Sequence, residues 1–272
     1  MGAEFKILGS SSSGNSALLR TLDFTILIDA GFSGKRLGTL LGELGMKPTD
    51  LDAVFLTHEH SDHASGVRGL SRFGDLPFFA NRDTANAIQS NLKRRANWRL
   101  FETGLNFEFR GLKVSPFSIP HDAYDPVGFL FEWGGHDLFS PFESLAWVTD
   151  LGSGTSLVRE KIRGAKTLVI ETNYDEEMLE HDTRRPWALK QRIKGRHGHL
   201  SNNDAFKFLE AIESPAWRKV VFAHLSKDCN AVSRVAETFS TFPCKDCELS
   251  VVDPRSGELV SISPASGTGT YG

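Results

Sequence analysis

The stretch THEHSDH at residues 57–63 crowds three histidines and one aspartate into the six positions from His58 to His63. Imidazole and carboxylate groups are costly to bury together unless a cation holds them. The stretch therefore predicts a metal site, and the chain must fold so that further donors reach it. One ion can hardly accept all four of these side chains, so we expect them to divide between two ions.

Other candidate ligands stand directly after apolar segments that are typical of β-strands. AVFLT leads into His58 and KVSPFSIP into His121, while LAWVT leads into Asp150 and KVVFA into His224. Strand ends gather at one edge of a sheet, so these residues can converge although they are distant in sequence. No thiolate belongs to the set, which favours Zn²⁺, Mn²⁺ or Fe²⁺. The expected ligands are His58, His60 and His121 for one ion, Asp62, His63 and His224 for the other, and Asp150 bridging the two.

Apolar runs rich in β-branched and aromatic residues alternate with amphipathic segments along the chain. The runs predict strands, including a hairpin across Leu22–Asp23, and the alternation predicts sheets covered by helices. No linker or repeat divides the chain, so we expect one domain over residues 1–262 and a flexible tail over 263–272. The predicted helices are Ser33 to Leu44, Ser65 to Phe73, Thr84 to Leu92, Pro186 to Lys194, Asn203 to Ile212 and Ala231 to Phe239.

Composition limits the classes of function. The formal net charge of -3 over 272 residues gives no global field for nucleic acid, so binding of a polyanion needs a local patch. The three cysteines make no disulfide framework, and Cys244 and Cys247 are expected to be free thiols. The sequence shows no export signal and no apolar run long enough to span a membrane, which predicts a cytoplasmic protein without membrane contact.

A local basic patch is present between Thr183 and Asn203, where no acidic residue occurs. Such a run is either a solvated helix face or a track for phosphates, and the neighbouring metal motif favours the track. The run SSSSGNS is first of all a turn, but its hydroxyls and the amide of Asn15 could meet phosphate. The expected substrate-binding residues are Ser12, Asn15, Arg184, Arg185, Lys190, Arg192 and Ser201.

His199 is the candidate for a group that protonates the leaving oxygen or holds a phosphate oxygen. The alternative, a loop histidine bonded to the backbone, stays open. His136, His181 and His197 lie among polar residues and are expected at the surface.

The H-x-H-x-D-H motif resembles that of the metallo-β-lactamase-fold hydrolases. The resemblance implies an α/β fold of four layers, an αββα sandwich with the metal site at one edge. In LIDAG, it implies that Asp29 supports the metal loops and does not bind metal itself. His60 stands where redox-active diiron relatives have glutamate, which favours hydrolysis.

Four longer segments resemble the YycJ (WalJ) exonucleases: LGSSSSGNSALL, THEHSDH, RPWALKQRIKGRHGHLSNNDA and FAHLSKDCN. Two positions depart from that group, since Tyr174 replaces its usual histidine and Cys229 the first asparagine of its L-S-x-x-N-N motif. The stretch at 135–147 is also longer than usual, which indicates a loop elaboration.

The resemblance implies a phosphodiesterase with two divalent ions, zinc or manganese with iron as a further choice, that acts on nucleic acid, above all as a DNA exonuclease. The expected nucleophile is a hydroxide that bridges the ions, and the expected catalytic residues are Asp62, Asp150 and His199. A small-molecule hydrolase, either a cyclic phosphodiesterase or a thioesterase of the glyoxalase II kind, is one alternative. A metal-stabilised scaffold that binds nucleic acid is another.

Overall fold

Two β-sheets pack face to face in this protein, and helices cover both outer faces. The computed structural model describes residues 3–135, 142–244 and 246–262. The strands are β1 (Glu4–Ser11), β2 (Gly14–Arg20), β3 (Thr25–Ile28), β4 (Ala53–Phe55), β5 (Pro77–Ala80), β6 (Asn97–Leu100), β7 (Phe107–Phe109), β8 (Leu112–Ser118), β9 (Val127–Trp133), β10 (Glu143–Val148), β11 (Thr167–Glu171), β12 (Lys219–Ala223), β13 (Glu248–Val252) and β14 (Leu259–Ile262). The helices are α1 (Gly34–Glu43), α2 (Ser61–Ala64), α3 (Val67–Leu70), α4 (Arg82–Ser90), α5 (Ser156–Arg163), α6 (Glu176–His181), α7 (Trp187–Ile193), α8 (Asn202–Glu210) and α9 (Val232–Thr238). This is the expected four-layer αββα sandwich.

The strand order of each sheet explains how distant residues meet. The first sheet runs β1-β2-β3-β4-β5-β6 and is parallel from β3 onward; the second runs β14-β13-β12-β11-β10-β9-β8-β7 and is parallel from β10 to β13. Parallel strands end on the same side of a sheet, and the loops that follow them meet there. The loops after β3, β4, β10, β11 and β12 carry the candidate site.

The core between the sheets is rich in phenylalanine. Phe55 of β4 stacks on Phe79 with ring centroids 4.6 Å apart and meets the edges of Phe129 and Phe131 from the second sheet at 6.1 and 5.6 Å. Side chains alternate across each strand, so the other face of each sheet packs against helices. Separate buried clusters beneath the helices of the two outer layers complete the four layers.

Most predicted elements are confirmed, with ends shifted by one or two residues. The hairpin at Leu22–Asp23 joins the antiparallel pair β2 and β3. The helix predicted over Ser65 to Phe73 is wrong, because the chain forms two single turns, α2 and α3, and the first begins earlier, at Ser61. Gly66 separates them: a Cβ there would lie 2.5 Å from the Phe32 carbonyl oxygen.

Helices α5 and α6 and several short strands were not predicted. Alternating lysine, arginine and glutamate in VREKIRG hid the two apolar positions, Val158 and Ile162, that anchor α5 in the core. The predicted tail at 263–272 and residues 136–141 of the 135–147 stretch, with His136, lie outside the described residues, and the end of that stretch belongs to β10. Among the described helices, none has the length and apolarity needed to cross a bilayer.

Replacing Phe55 by alanine should lower the free energy of unfolding by about 3–5 kcal/mol, because the cavity lies where both sheets meet. Urea denaturation followed by circular dichroism measures the change. Leu22→Ala is the matched control, since Leu22 is 75% exposed at the hairpin tip and should cost less than about 0.5 kcal/mol. Equal losses in the two variants would contradict the assignment of Phe55 to the inter-sheet core.

Candidate metal centre

The seven expected ligands come together at one edge of the sandwich. Their donor atoms form overlapping groups within 4.8 Å of one another. The groups are His58, His60 and His121; Asp62, His63 and His224; His58, His63 and Asp150; and a fourth in which Asp150 and His224 join Glu171 and His199. The first two groups correspond to the two ion sites expected from the sequence, and Asp150 lies between them.

The spacing of these donors fits divalent ions. Asp150 Oδ1 lies 3.6 Å from Nε2 of both His121 and His224, and Asp62 Oδ2 lies 3.6 Å from Nε2 of both His63 and His224. Bonds of about 2.1 Å to a tetrahedral ion would place neighbouring donors about 3.4 Å apart. The buried Nε2 atoms of His58 and His224 also have no hydrogen-bond partner among the described residues. Donor type, spacing and these unpaired nitrogens therefore match a metal centre.

The other ring nitrogen of four histidines is held by an oxygen. Nδ1 of His63 donates to Asp29 Oδ2 at 2.8 Å, Nδ1 of His121 to the Gly198 carbonyl at 3.2 Å, and Nδ1 of His224 to Glu171 Oε1 at 2.5 Å. Nδ1 of His58 lies 3.0 Å from the Thr57 hydroxyl. Bonds of this kind fix the ring orientation and the tautomer, so that Nε2 presents its lone pair to the centre.

Buried carboxylates dominate the electrostatics of the site. Burial alone would lower the pKa of His63 and His224, but Asp150 and its acidic neighbours outweigh burial, raising the pKa of His63 well above its usual range and that of His224 to about 10. Burial keeps the pKa of His58 and His121 low, so these rings are neutral, as metal ligation requires. The carboxylates that raise the pKa of His63 and His224 would equally attract a metal cation, which releases the ring protons when it binds.

Three site residues occupy the left-handed region of the backbone. Asp29, Asp150 and His224 have φ of 57°, 58° and 57°, and each directly follows or lies close to the end of a parallel strand. This conformation costs a residue with a Cβ about 1–2 kcal/mol. Strain of this kind persists where the surroundings fix it, as the hydrogen bonds of these side chains do here.

Asp29 holds the metal loop, residues 57–63, in place. Its carboxylate accepts the backbone N–H of Thr57 at 2.8 Å, the Thr57 hydroxyl at 3.0 Å and the Nδ1–H of His63. Gly31, two residues later, lets the loop approach closely, since a Cβ there would lie 1.7 Å from the Asp62 carbonyl oxygen. The end of β3 therefore positions both the start and the helical end of the THEHSDH stretch.

Glu171 is a site residue that sequence reasoning missed. It is fully buried at the end of β11, where Oε1 accepts from His224 and from His199 Nδ1 at 2.9 Å, and Oε2 accepts the backbone N–H groups of Leu151 and Leu200. Burial alone would raise the pKa of Glu171, but His199 and His224 lower it by more, so Glu171 is an ionised carboxylate. The signal was available, because TLVIE is another apolar strand that ends in a donor.

His199 lies at the mouth of the centre. Its pKa is raised because the Glu171 carboxylate outweighs the effect of burial, which favours a proton on the ring. Its side chain keeps 22% of its surface exposed and faces an open cleft of about 210 Å³. Ser12, His60, Asp62, His121, Asp122, Asp150, Leu189, Arg192, Ile193, Gly198 and His224 line the cleft with it.

The structure places the expected substrate-binding residues in three different settings. Ser12 and Arg192 line the cleft, and Arg192 is paired there with Asp122 at 2.5 Å. Asn15 is buried, and its amide donates to Ser11 and Asp62, so it braces the metal loop. Ser201 is buried as the N-cap of α8, where its hydroxyl accepts from the backbone of Asp204.

The remaining three cations of that set are already bonded within the chain. Arg184 and Arg185 both pair with Asp182 and Asp228, and Lys190 donates to the Glu180 carbonyl at 2.6 Å. The basic run is uninterrupted in sequence, but acids from outside it neutralise much of its charge in the fold. None of these three lines the cleft.

Tyr174 and Cys229 lie in one small buried cluster with Leu179, and neither belongs to the grouped donors. The Cys229 thiol points to Asp182 Oδ2 at 3.6 Å, and burial raises its pKa, so it is a neutral thiol. Burial also raises the pKa of Tyr174. The Cys229 contact therefore ties this cluster to the segment that carries Asp182.

The chain matches the family described as the beta-lactamase superfamily domain over residues 25–225. It is 35% identical over 234 residues to the exodeoxyribonuclease WalJ of Streptococcus pneumoniae serotype 2, which covers 85% of this chain and 84% of that protein. It is 32% identical over 265 residues to the exodeoxyribonuclease YycJ of Bacillus anthracis, covering 94% and 97% of the two chains. The Zn²⁺-bound structure of PqqB from Methylobacterium extorquens shares the fold, with a TM-score of 0.70 at 18% identity over 94% of this chain and 99% of that one.

Replacing Asp29 by asparagine should weaken metal binding about 10–100-fold, because an amide cannot hold Thr57 and the His63 ring at once. Asparagine tolerates the left-handed backbone, so the loop keeps its shape. Competition with a chromogenic chelator measures the affinity, and circular dichroism checks the fold. Asp23→Asn, at an exposed turn, is the control and should bind metal like the parent protein; an unchanged affinity in Asp29→Asn would refute the supporting role.

Proposed function

Since the chain belongs to the β-lactamase superfamily and, within it, to the family of the WalJ and YycJ exodeoxyribonucleases, we propose that it is a metal-dependent phosphodiesterase that degrades DNA from an end. The observation that carries the proposal is the convergence of seven residues with nitrogen and oxygen donors, five of which line a cleft together with His199. The proposal includes a cytoplasmic location and nucleic acid as the substrate.

We propose that the centre holds two divalent ions, zinc or manganese, with iron as a further choice. His58, His60 and His121 would hold one ion and Asp62, His63 and His224 the other, with Asp150 shared. Two ions so placed supply an activated water and positive charge for the oxygens of a phosphodiester. Nitrogen and carboxylate ligands without thiolate suit all three metals.

The chain's own groups complete the chemistry. The Glu171 carboxylate holds His199 at 2.9 Å and raises its pKa, which favours the proton that His199 would deliver to the leaving 3′ or 5′ oxygen of the sugar. Arg192 lies in the same cleft and can contact a non-bridging phosphate oxygen once its pairing with Asp122 loosens. Asp62 and Asp150 would hold the ions and offset their positive charge.

Small-molecule hydrolysis by the same centre is the main alternative, as a cyclic phosphodiesterase or a thioesterase. Esters of this size are usually bound in enclosed pockets. Here the cleft is partly open to solvent, and exposed Leu189 and Arg192 are among the residues that line it. An open edge admits the end of a long polymer, which favours DNA.

The metal-loaded protein should shorten end-labelled linear DNA, and a chelator should abolish this activity, because the nucleophile depends on the ions. Covalently closed circular DNA should stay intact, which separates cleavage from an end from internal cleavage. Gel electrophoresis with Mn²⁺ or Zn²⁺ measures both. Hydrolysis of a cyclic nucleotide or a thioester, with linear DNA left intact, would replace the proposal by the small-molecule alternative.

Asp150→Asn should lose turnover and keep its affinity for DNA, since the amide disturbs the ions and leaves the cleft surface in place. Fluorescence anisotropy measures the affinity. A metal-stabilised scaffold predicts instead that the parent protein binds DNA without cutting it. Binding with no cleavage at saturating metal would therefore select the scaffold.

His199→Ala should lower kcat on DNA by about 10²–10⁴-fold, the usual contribution of a general acid. The loss should be much smaller on thymidine 5′-(p-nitrophenyl) phosphate, because p-nitrophenolate leaves without a proton. His197→Ala is the matched control, since His197 is exposed two positions earlier and should behave as the parent protein. An equal loss on the two substrates would show that His199 acts on metal binding rather than on the leaving group.

A further inference from the structure

A second groove begins at the metal loop and runs away from the cleft along the first outer layer. Glu59 and Ser61, which alternate with the metal donors, form its inner end. Arg68 and the last turn of α4 form its walls, and Tyr124 stands at its rim; the cavity measures about 550 Å³. Residues of the metal loop therefore line one part of the groove, which shares no lining residue with the cleft and holds none of the expected substrate residues.

The groove is bordered by cations without partners. Arg68 lines it, and Lys93, Arg94 and Arg95 follow directly after Leu92 at its end. All four are exposed, and none is within ion-pair distance of a carboxylate of the described residues. This is the opposite of the Arg184 to Lys194 stretch, whose cations are largely bonded within the chain.

The turn that carries three of these cations is held in place. The side chain of Gln89, on α4, donates to the Arg94 carbonyl at 3.2 Å and accepts from the Ala96 N–H at 3.1 Å and the Trp98 indole N–H at 2.9 Å. A turn fixed by three hydrogen bonds presents its charges at defined positions. Less ordering is then required when a ligand binds.

An exposed aromatic ring stands at the groove's rim. Tyr124 is 76% exposed, yet its backbone N–H donates to Glu59 Oε1 at 3.1 Å. The next residue, Asp125, is bonded through its carbonyl to Asn81 and through its carboxylate to Thr103. A large ring held in solvent by a pinned loop is suited to stacking on an unpaired base.

We propose that this groove binds the single-stranded segment of DNA that extends from the scissile bond, with Lys93, Arg94, Arg95 and Arg68 on its phosphates and Tyr124 on one base. The inference rests on the proposed DNA-cleaving function and adds where the strand runs. Free cations beside an aromatic ring are the features by which proteins hold single strands without reading their sequence. The groove leads from the metal loop, so the strand can reach both.

The double variant Arg94→Gln/Arg95→Gln, made in the Asp150→Asn background to prevent cleavage, tests the phosphate contacts. The slope of log affinity against log salt for a 30-nucleotide single strand should fall by about 1.4, since each lost contact contributes about 0.7. Anisotropy titrations at several salt concentrations measure it. Lys161→Gln/Arg163→Gln on α5, in the opposite outer layer, removes the same charge and should keep the parent slope.

In the active enzyme, the same double variant should reduce the preference for a 30-nucleotide strand over a trinucleotide, as judged by the ratio of KM values. A trinucleotide covers less of the surface than a 30-nucleotide strand and can therefore use fewer of the groove contacts. If the parent protein degrades DNA and neither ratio nor slope changes, the groove assignment is wrong and the proposed function stands. If the parent does not degrade DNA, the proposed function itself fails.

Tyr124→Ala should weaken binding of the single strand about tenfold, while Tyr124→Phe should retain it, because stacking needs the ring and not the hydroxyl. A blunt 30-base-pair duplex offers no unpaired base and should respond equally little to both variants. A larger effect of Tyr124→Ala on the duplex than on the single strand would overturn the assignment to a single-stranded segment.

Discussion

Buried negative charge is the constraint on which the rest of this structure depends. Asp29, Asp150 and Glu171 have almost no exposed surface, and each is placed against an imidazole. Ionised carboxylates in such a setting are costly unless paired and hydrogen-bonded. Two features of the fold offset this cost. Hydrogen bonds to the inner ring nitrogens fix the ring orientations, and the outward Nε2 atoms and carboxylate oxygens converge where cations can bind. Removing one supporting carboxylate therefore disturbs metal affinity through geometry as well as charge.

The sandwich supplies this arrangement through strand ends. Two sheets with parallel central strands bring five loops to one edge, and the inter-sheet phenylalanine core fixes the distance between the sheets. Asp29, Asp150 and His224 then adopt left-handed backbone conformations that turn their side chains into the centre. The strain at these positions is balanced by hydrogen bonds such as that from the His224 backbone N–H to the Ser10 hydroxyl. The packing of the two sheets and the hydrogen bonds of the loops therefore fix where the site residues lie.

Local patterns in the sequence carried most of the fold and the donor set. The H-x-H-x-D-H motif spans only six residues, and His121, Asp150 and His224 each follow an apolar strand. Local sequence patterns were therefore enough to predict these donors. Glu171 followed the same rule but was overlooked, because an acidic residue at a strand end is common and its two histidine partners are distant in sequence. Asn15 and Ser201 could not be placed for a related reason: a polar residue beside a motif can face the ligand or brace the loop, and only the packing decides.

The runs of basic residues show most clearly what the sequence alone could not predict, namely which cations stay unpaired in the fold. The stretch from Arg184 to Arg196 contains no acid, yet Asp122, Glu180, Asp182 and Asp228 approach several of its cations in space and occupy them. LKRR at 92–95 is shorter and was not predicted to bind phosphate, but none of its three cations lies within ion-pair distance of a carboxylate of the described residues. Phosphate binding depends on cations that are still available, because a counterion already supplied by the protein must be displaced first. We therefore infer the path of a DNA strand from cations that no carboxylate occupies in three dimensions, and not from where basic residues are densest in the chain.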